Sequence, residues 1–200
     1  MKRVAFAAAL VVAAVVVAAP AGARQTSQAP GTWCGGTLWK LMTLSDTGKG
    51  AVNWTPVPTG IADIAKLTAP TRILASRNNT FEKHRWQVTA VVERYRVQSN
   101  GEIVLEMNDV HTSTYMNAYM PNPSCLSKNT RARTDILAAR TAFTKACGVP
   151  APTWKTLGAT VTITGVGFWN PVKTTLGALG NGAELRPVTS LTLLEGCGKF

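Results

Sequence analysis

Between Arg85 and Glu195 the chain carries three consecutive stretches with strand alternation, one stretch with helical spacing, and two more strand stretches. Few architectures accept that order in so short a span. Strands that follow one another directly pair as hairpins, and a helix between the third and fourth covers the open end of the curled sheet. The order therefore predicts a mostly β fold with one helix.

Each stretch is read from its period. The first strand is expected over Arg85–Val97, with Trp86, Val88, Ala90 and Val92 on one face. Gln98-Ser99-Asn100-Gly101 turns it, Asn-Gly being a strong hairpin signal. The second strand, Glu102–Asn108, places Ile103, Leu105 and Met107 inward and Glu102, Val104 and Glu106 outward. The third, Ser113–Met120, divides Met116, Ala118 and Met120 from Tyr115, Asn117 and Tyr119. A helix follows from about Asn129 to Ala146, with Ala132, Ile136, Ala139 and Phe143 on one stripe and Gly148 and Pro150 as its stop. Ala159–Trp169 and Ala183–Leu194 complete the set, joined by a long Gly-containing loop over Asn170–Gly182. The arrangement β-β-β-α-β-β is that of a five-stranded Greek-key barrel of the OB type.

Upstream of the barrel the signals are of another kind. Lys2 and Arg3, an apolar run from Val4 to Ala19 and the small residues Ala21-Gly22-Ala23 predict a signal peptide over residues 1–23. The competing reading is an uncleaved membrane anchor. Residues 24–31 read as a loose tail, and 32–80 as an extended arm packed on a barrel spanning 81–200. Within the arm, Thr37–Thr43 looks strand-like and Ile61–Leu67 makes one short turn of helix before Pro70.

The chain has 200 residues and a formal charge of +11, which falls to +9 without Lys2 and Arg3. Such a balance favours anionic partners: nucleic acid, an acidic glycan or a membrane surface. The basic residues are scattered, so generic solubility is the rival account. Four cysteines, Cys34, Cys125, Cys147 and Cys197, predict two disulfides in an exported chain, with three pairings open. No CxxC occurs and neither His84 nor His111 lies near a cysteine, so no metal site is expected. No cofactor motif is found. Gly177-Ala178-Leu179-Gly180 lacks the strand-to-helix setting and the Lys-Ser/Thr of a phosphate loop.

Several segments together resemble a family of small secreted bacterial proteins of no established activity. These are Trp33-Cys34-Gly35 with Lys40–Asp46, Gly101-Glu102-Ile103, Pro121-Asn122-Pro123-Ser124-Cys125, Ala139-Arg140 with Phe143, Gly165–Trp169, and Asn181–Val188. The last motif is similar to the end of a staphylococcal-nuclease barrel. The resemblance implies an OB-like fold and the bridges Cys34–Cys125 and Cys147–Cys197. This chain departs from the pattern at three places: Val104 and Arg186 stand where those proteins have His, and Tyr119 where they have Glu.

A nuclease of that type needs carboxylates on one calcium ion and arginines on the phosphate. Glu102 and Glu106, with Asp109, Arg94 and Arg96 nearby, are the candidates. Four residues along a strand put the two glutamates roughly 13 Å apart, too far to share one ion directly. No catalytic residue is expected.

Binding is the stronger expectation. The ligand face of such a barrel crosses the second and third strands and the loops beside them. Here it carries Tyr115, Asn117 and Tyr119, with Arg96 from the first loop and Lys173 from the last. Exposed tyrosines stack on bases or sugars. The alternative is that the arm buries them against Trp39 or Trp54. The expected function is an exported, disulfide-stabilised binding protein whose ligand is a nucleic acid, an anionic glycan or an envelope protein. A divergent phosphodiesterase and a structural envelope module are the rivals.

Overall fold

The computed structural model describes residues 34–197; the segments expected to be a signal peptide and a tail, with Thr32, Trp33 and residues 198–200, lie outside the described residues. Six strands are formed: β1 (Asn53–Pro58), β2 (His84–Val97), β3 (Ile103–Asp109), β4 (Thr114–Met120), β5 (Lys155–Trp169) and β6 (Ala183–Glu195). Three helices accompany them: α1 (Trp39–Met42), α2 (Ile61–Ala65) and α3 (Arg133–Cys147). The five expected strands are thus present, and the arm adds a sixth strand and two short helices, of which α2 falls on the helical turn expected over Ile61–Leu67 and α1 was not expected.

The sheet runs β1-β2-β3-β4-β6-β5, and β2 pairs again with β5. Five strands therefore form a ring that closes only in part, because β4 and β6 share a single parallel pair, Ala118 with Leu185. β2 is long enough to serve both neighbours. Its register shifts between Val92 and Arg94 against β3 and β5 alike. A bulge there increases the twist and lets one strand bend around the ring. β1 lies parallel to the first residues of β2, before β3 begins to pair. Pro56 and Pro58 remove donors from β1, which suits a strand at the edge of a sheet.

The ring interior is filled by the alternating apolar residues the sequence marks. Val88, Ala90, Val92, Ile103, Leu105, Met107, Met116, Ala118, Met120, Val161 and Ile163 are all buried in one cluster. α3 covers it through Ala139 and Phe143, and α2 through Ile61 and Ile64. A second, smaller cluster joins Leu44 and Val52 of the arm to Leu126, Ile136 and Val166. Arm and ring therefore share cores.

Two expectations for local structure are corrected. Thr37–Thr43 contains helix α1 instead of a strand patch; it is one helical turn closed by the Thr43 hydroxyl on the Trp39 carbonyl. α3 starts at Arg133, four residues late, with Ala132 at φ +53° outside it. The cause is the arm: the Arg131 N–H donates to Leu44 O, and the Arg131 guanidinium donates to the carbonyls of Lys49, Gly50 and Val52. That docking holds the chain out of helical geometry until residue 133.

Trp54 locks the same junction. Its ring is faced by the guanidinium of Arg85 at 4.3 Å and of Arg131 at 4.7 Å. Such contacts are worth about 0.5–2 kcal/mol each, rising with desolvation. The disulfides are Cys34–Cys125, which ties the arm to the end of β4, and Cys147–Cys197, which ties α3 to the residues after β6. These are the pairings the resemblance implies. Two disulfides fit an oxidising compartment outside the cytosol, and no helix among the described residues is long and apolar enough to cross a membrane.

Candidate functional site

The outer face of β3 and β4 is the face expected to meet a ligand. Register places Arg94, Glu106 and Asn117 in one row across it, and Arg96, Val104 and Tyr119 in the next. Arg96, Asn117 and Tyr119 therefore share a face, as alternation predicts, and Tyr115 lies beside them. What differs is exposure. Glu102 and Val104 are 0 % exposed and Glu106, Asn117 and Tyr119 only 1 %. The expectation that Glu102, Val104 and Glu106 point to solvent is thus corrected: Gly177 of the β5–β6 connection, residues 170–182, stands against Glu106 and Asn117, and Arg186 of β6 engages Glu102.

Gly177 makes the close approach. A Cβ there would lie 2.7 Å from Glu106 Cγ and 2.8 Å from Asn117 Oδ1, and its φ of +79° is a conformation that favours glycine. Beneath the loop is a polar cluster. The Arg186 guanidinium bridges to both oxygens of Glu102, stands 3.6 Å from Glu184 and lies 4.3 Å from the centre of the Tyr119 ring. Asn170 donates to the other oxygen of Glu184. Burial pushes the Glu184 carboxyl up to about 7, against the opposing pull of Arg186, and pushes the Tyr119 phenol well above its ordinary range. Glu106 is gripped by Arg94 at 2.6 and 3.3 Å. Of the candidate carboxylates for a metal, Glu102 and Glu106 are therefore engaged by arginines and Asp109 accepts from the His111 N–H, and no cluster of three or more His, Cys, Asp or Glu forms among the described residues.

Val104, Tyr119 and Arg186 meet here. Val104 pairs with Tyr119 across β3 and β4, and Arg186 stacks on that ring. Neither side-chain atom of Asn117 has a hydrogen-bond partner.

The remaining expected residues are dispersed. The Tyr115 hydroxyl donates toward Glu93, at 3.2 and 3.3 Å from its two oxygens. Lys173 is exposed at the start of the loop and donates to Gly180 O. Arg96 turns away from the tyrosines and stacks on Trp154, 4.8 Å from the ring centre. Around it opens a groove of about 780 Å³, walled by Arg96, Val97, the Gln98–Asn100 turn and Pro152. Val97 N–H donates to Ala151 O, which fixes the turn against the segment leading into β5.

Much of the positive charge is structural. Arg140 donates to the carbonyls of Met120, Pro121 and Gly101, and Arg77 to those of Glu82 and Leu41. A guanidinium carries five donors, enough to satisfy several loop carbonyls at once. The sequence shows these arginines but not their partners, which lie 19 to 39 residues away for Arg140 and 5 and 36 for Arg77. Pro152 in the groove wall and Trp154 against Arg96 are residues that sequence reasoning missed; a tryptophan just before a strand carries no signal of its own.

No family model and no curated protein sequence matches this chain.

Proposed function

We propose that this protein is an exported binding module on an OB-type ring, and that it takes a strand of anionic polymer, nucleic acid or acidic glycan, in the groove beside Arg96. The strand order β2-β3-β4-β6-β5 with return to β2, and a helix between β4 and β5, supports the OB reading. The observation that carries the ligand class is the Arg96–Trp154 stack at the wall of a polar groove, in a chain of net charge +11. A cation backed by an aromatic ring and the side-chain amide of Gln98 are groups that hold a phosphate or carboxylate beside a base or sugar.

The test is fluorescence anisotropy of a labelled single-stranded oligonucleotide and a labelled acidic oligosaccharide against the mature oxidised protein, at two salt concentrations. Binding by one of them with a steep salt slope, weakened about tenfold by Arg96→Ala, is the expected result. Equal affinity of wild type and Arg96→Ala refutes the groove. No binding at low salt refutes the ligand class.

A further inference from the structure

Apart from the groove beside Arg96, a mostly apolar concavity opens on the side of the ring where the arm meets β2 and β5. It is a cleft of about 440 Å³ lined by Leu67, Ala69, Pro70, Phe81, Trp86 and Trp169, with Thr68, Asn79 and Thr80 at the margin. We propose that this cleft is a second binding site, for an uncharged small molecule of two or three rings. The proposal is independent of the polymer reading.

The first support is the chemistry of the walls. None of the lining residues is ionisable. The polar handles of the aromatics are already occupied: Trp169 Nε1 donates to Asn79 Oδ1 at 3.1 Å, and Trp86 Nε1 to Phe81 O at 2.9 Å. The Asn79 amide is spent on Glu82 at 2.7 Å and on Asn78 at 3.2 Å. What the cleft offers is ring faces and aliphatic carbon, so a charged guest loses its hydration without compensation. An extended peptide would face the same loss at its backbone groups.

The second is that the cleft is built, not left over. Its aromatic floor is a stack, with Phe81 4.7 Å from Trp169 and 5.6 Å from Trp86 between ring centres. Its outer wall is the irregular segment between α2 and residue 80, which is clamped at both ends. At one end Asn181 Nδ2 donates to the carbonyls of Ile64, Ala65 and Leu67, at 2.9, 3.2 and 3.0 Å. At the other, the fully buried Arg77 side chain binds Asp46 and the carbonyls of Glu82 and Leu41. A wall held at both ends preforms the site and lowers the ordering cost of binding.

The third is size. An apolar protein cavity of about 150 Å³ accepts one benzene, so room for about three rings follows from the volume here. Leu67, 37 % exposed at the mouth, gives such a guest an apolar entrance.

The test uses N-phenyl-1-naphthylamine, an uncharged three-ring fluorophore that the protein's net charge does not attract. Titration into the oxidised protein is expected to give saturable emission, one probe per chain, with energy transfer from tryptophan. Ala69→Phe, which fills the cleft, and Thr68→Trp, which closes its margin, are each expected to weaken binding at least about tenfold. Thermal midpoint and circular dichroism identify the variants that fold; if one does not, the other decides. Absence of saturable binding by the wild type overturns the proposal, as does wild-type affinity in a folded variant. Oligonucleotide anisotropy on the same variants separates the two sites: it is expected to be unchanged, and its failure in the wild type leaves the cleft standing.

Discussion

Replacing Glu184 by Gln isolates the energetic consequence of burying a carboxyl beside Arg186, Glu102, Tyr119 and Asn170. Glu184 is 3 % exposed, and burial raises its carboxyl from 4.5 to about 7. A carboxyl raised in the folded state binds more protons folded than unfolded across that interval, so stability falls as pH rises. The contribution is complete below the unfolded value and is lost as pH passes 7. The gap, at about 1.4 kcal/mol per pH unit, is worth about 3 kcal/mol, of which about 2.5 kcal/mol disappears between pH 5 and 8.5. Urea unfolding at several pH values in that range reads it as a fall in midpoint of about 1 M. Glu184→Gln cannot titrate and should lack this component, which the comparison with wild type isolates. The difference between variant and wild type should therefore tilt toward the variant with an inflection near pH 7. Parallel curves for the two proteins, or a tilt of the opposite sign, would refute the reasoning.

Arg77→Ala should cost about 3–5 kcal/mol in denaturant unfolding, because it strands the buried Asp46 carboxylate and two loop carbonyls. Arg77→Lys should recover little of this, since an ammonium cannot reproduce the fork; full recovery would show that charge alone matters. Gly177→Ala should lose about 1–2 kcal/mol from the positive φ, with a further cost from its clash with Glu106 and Asn117. Faster amide exchange in β4 from Asn117 to Tyr119 would report the lifted loop, and unchanged exchange would contradict the covering role given to it.

The strands, their faces and α3 were legible because each is specified by local period. Ile103, Leu105 and Met107 alternate with Glu102, Val104 and Glu106, and Ile136, Ala139 and Phe143 recur at helical spacing. The fate of the opposite face was not legible for the same reason. Glu102 and Glu106 read as solvated until Gly177, in a loop some 70 residues on, meets Glu106, and Arg186, 84 residues away, engages Glu102. Burial by a distant irregular segment leaves no trace in the period of the strand it covers. The aromatic cleft was missed on similar grounds. Phe81, Trp86 and Trp169 each look like ordinary core or strand residues, and only the ring brings them together. Arg96 was named because a turn signal placed it beside a loop; Trp154, on which it stacks, was not.

Asn181 has a consequence for communication across the molecule. It stands at the end of the loop that covers Asn117 and Glu106, yet its amide holds the last carbonyls of α2, on the wall of the aromatic cleft. One side chain is thus common to the lid of the polar face and the frame of the cleft. Any event that displaces the loop far enough to free Asn181 loosens that frame, and any guest that stiffens the frame holds the loop down. By linkage the two effects are equal in free energy, so the ring has a built-in means for one side to sense the other.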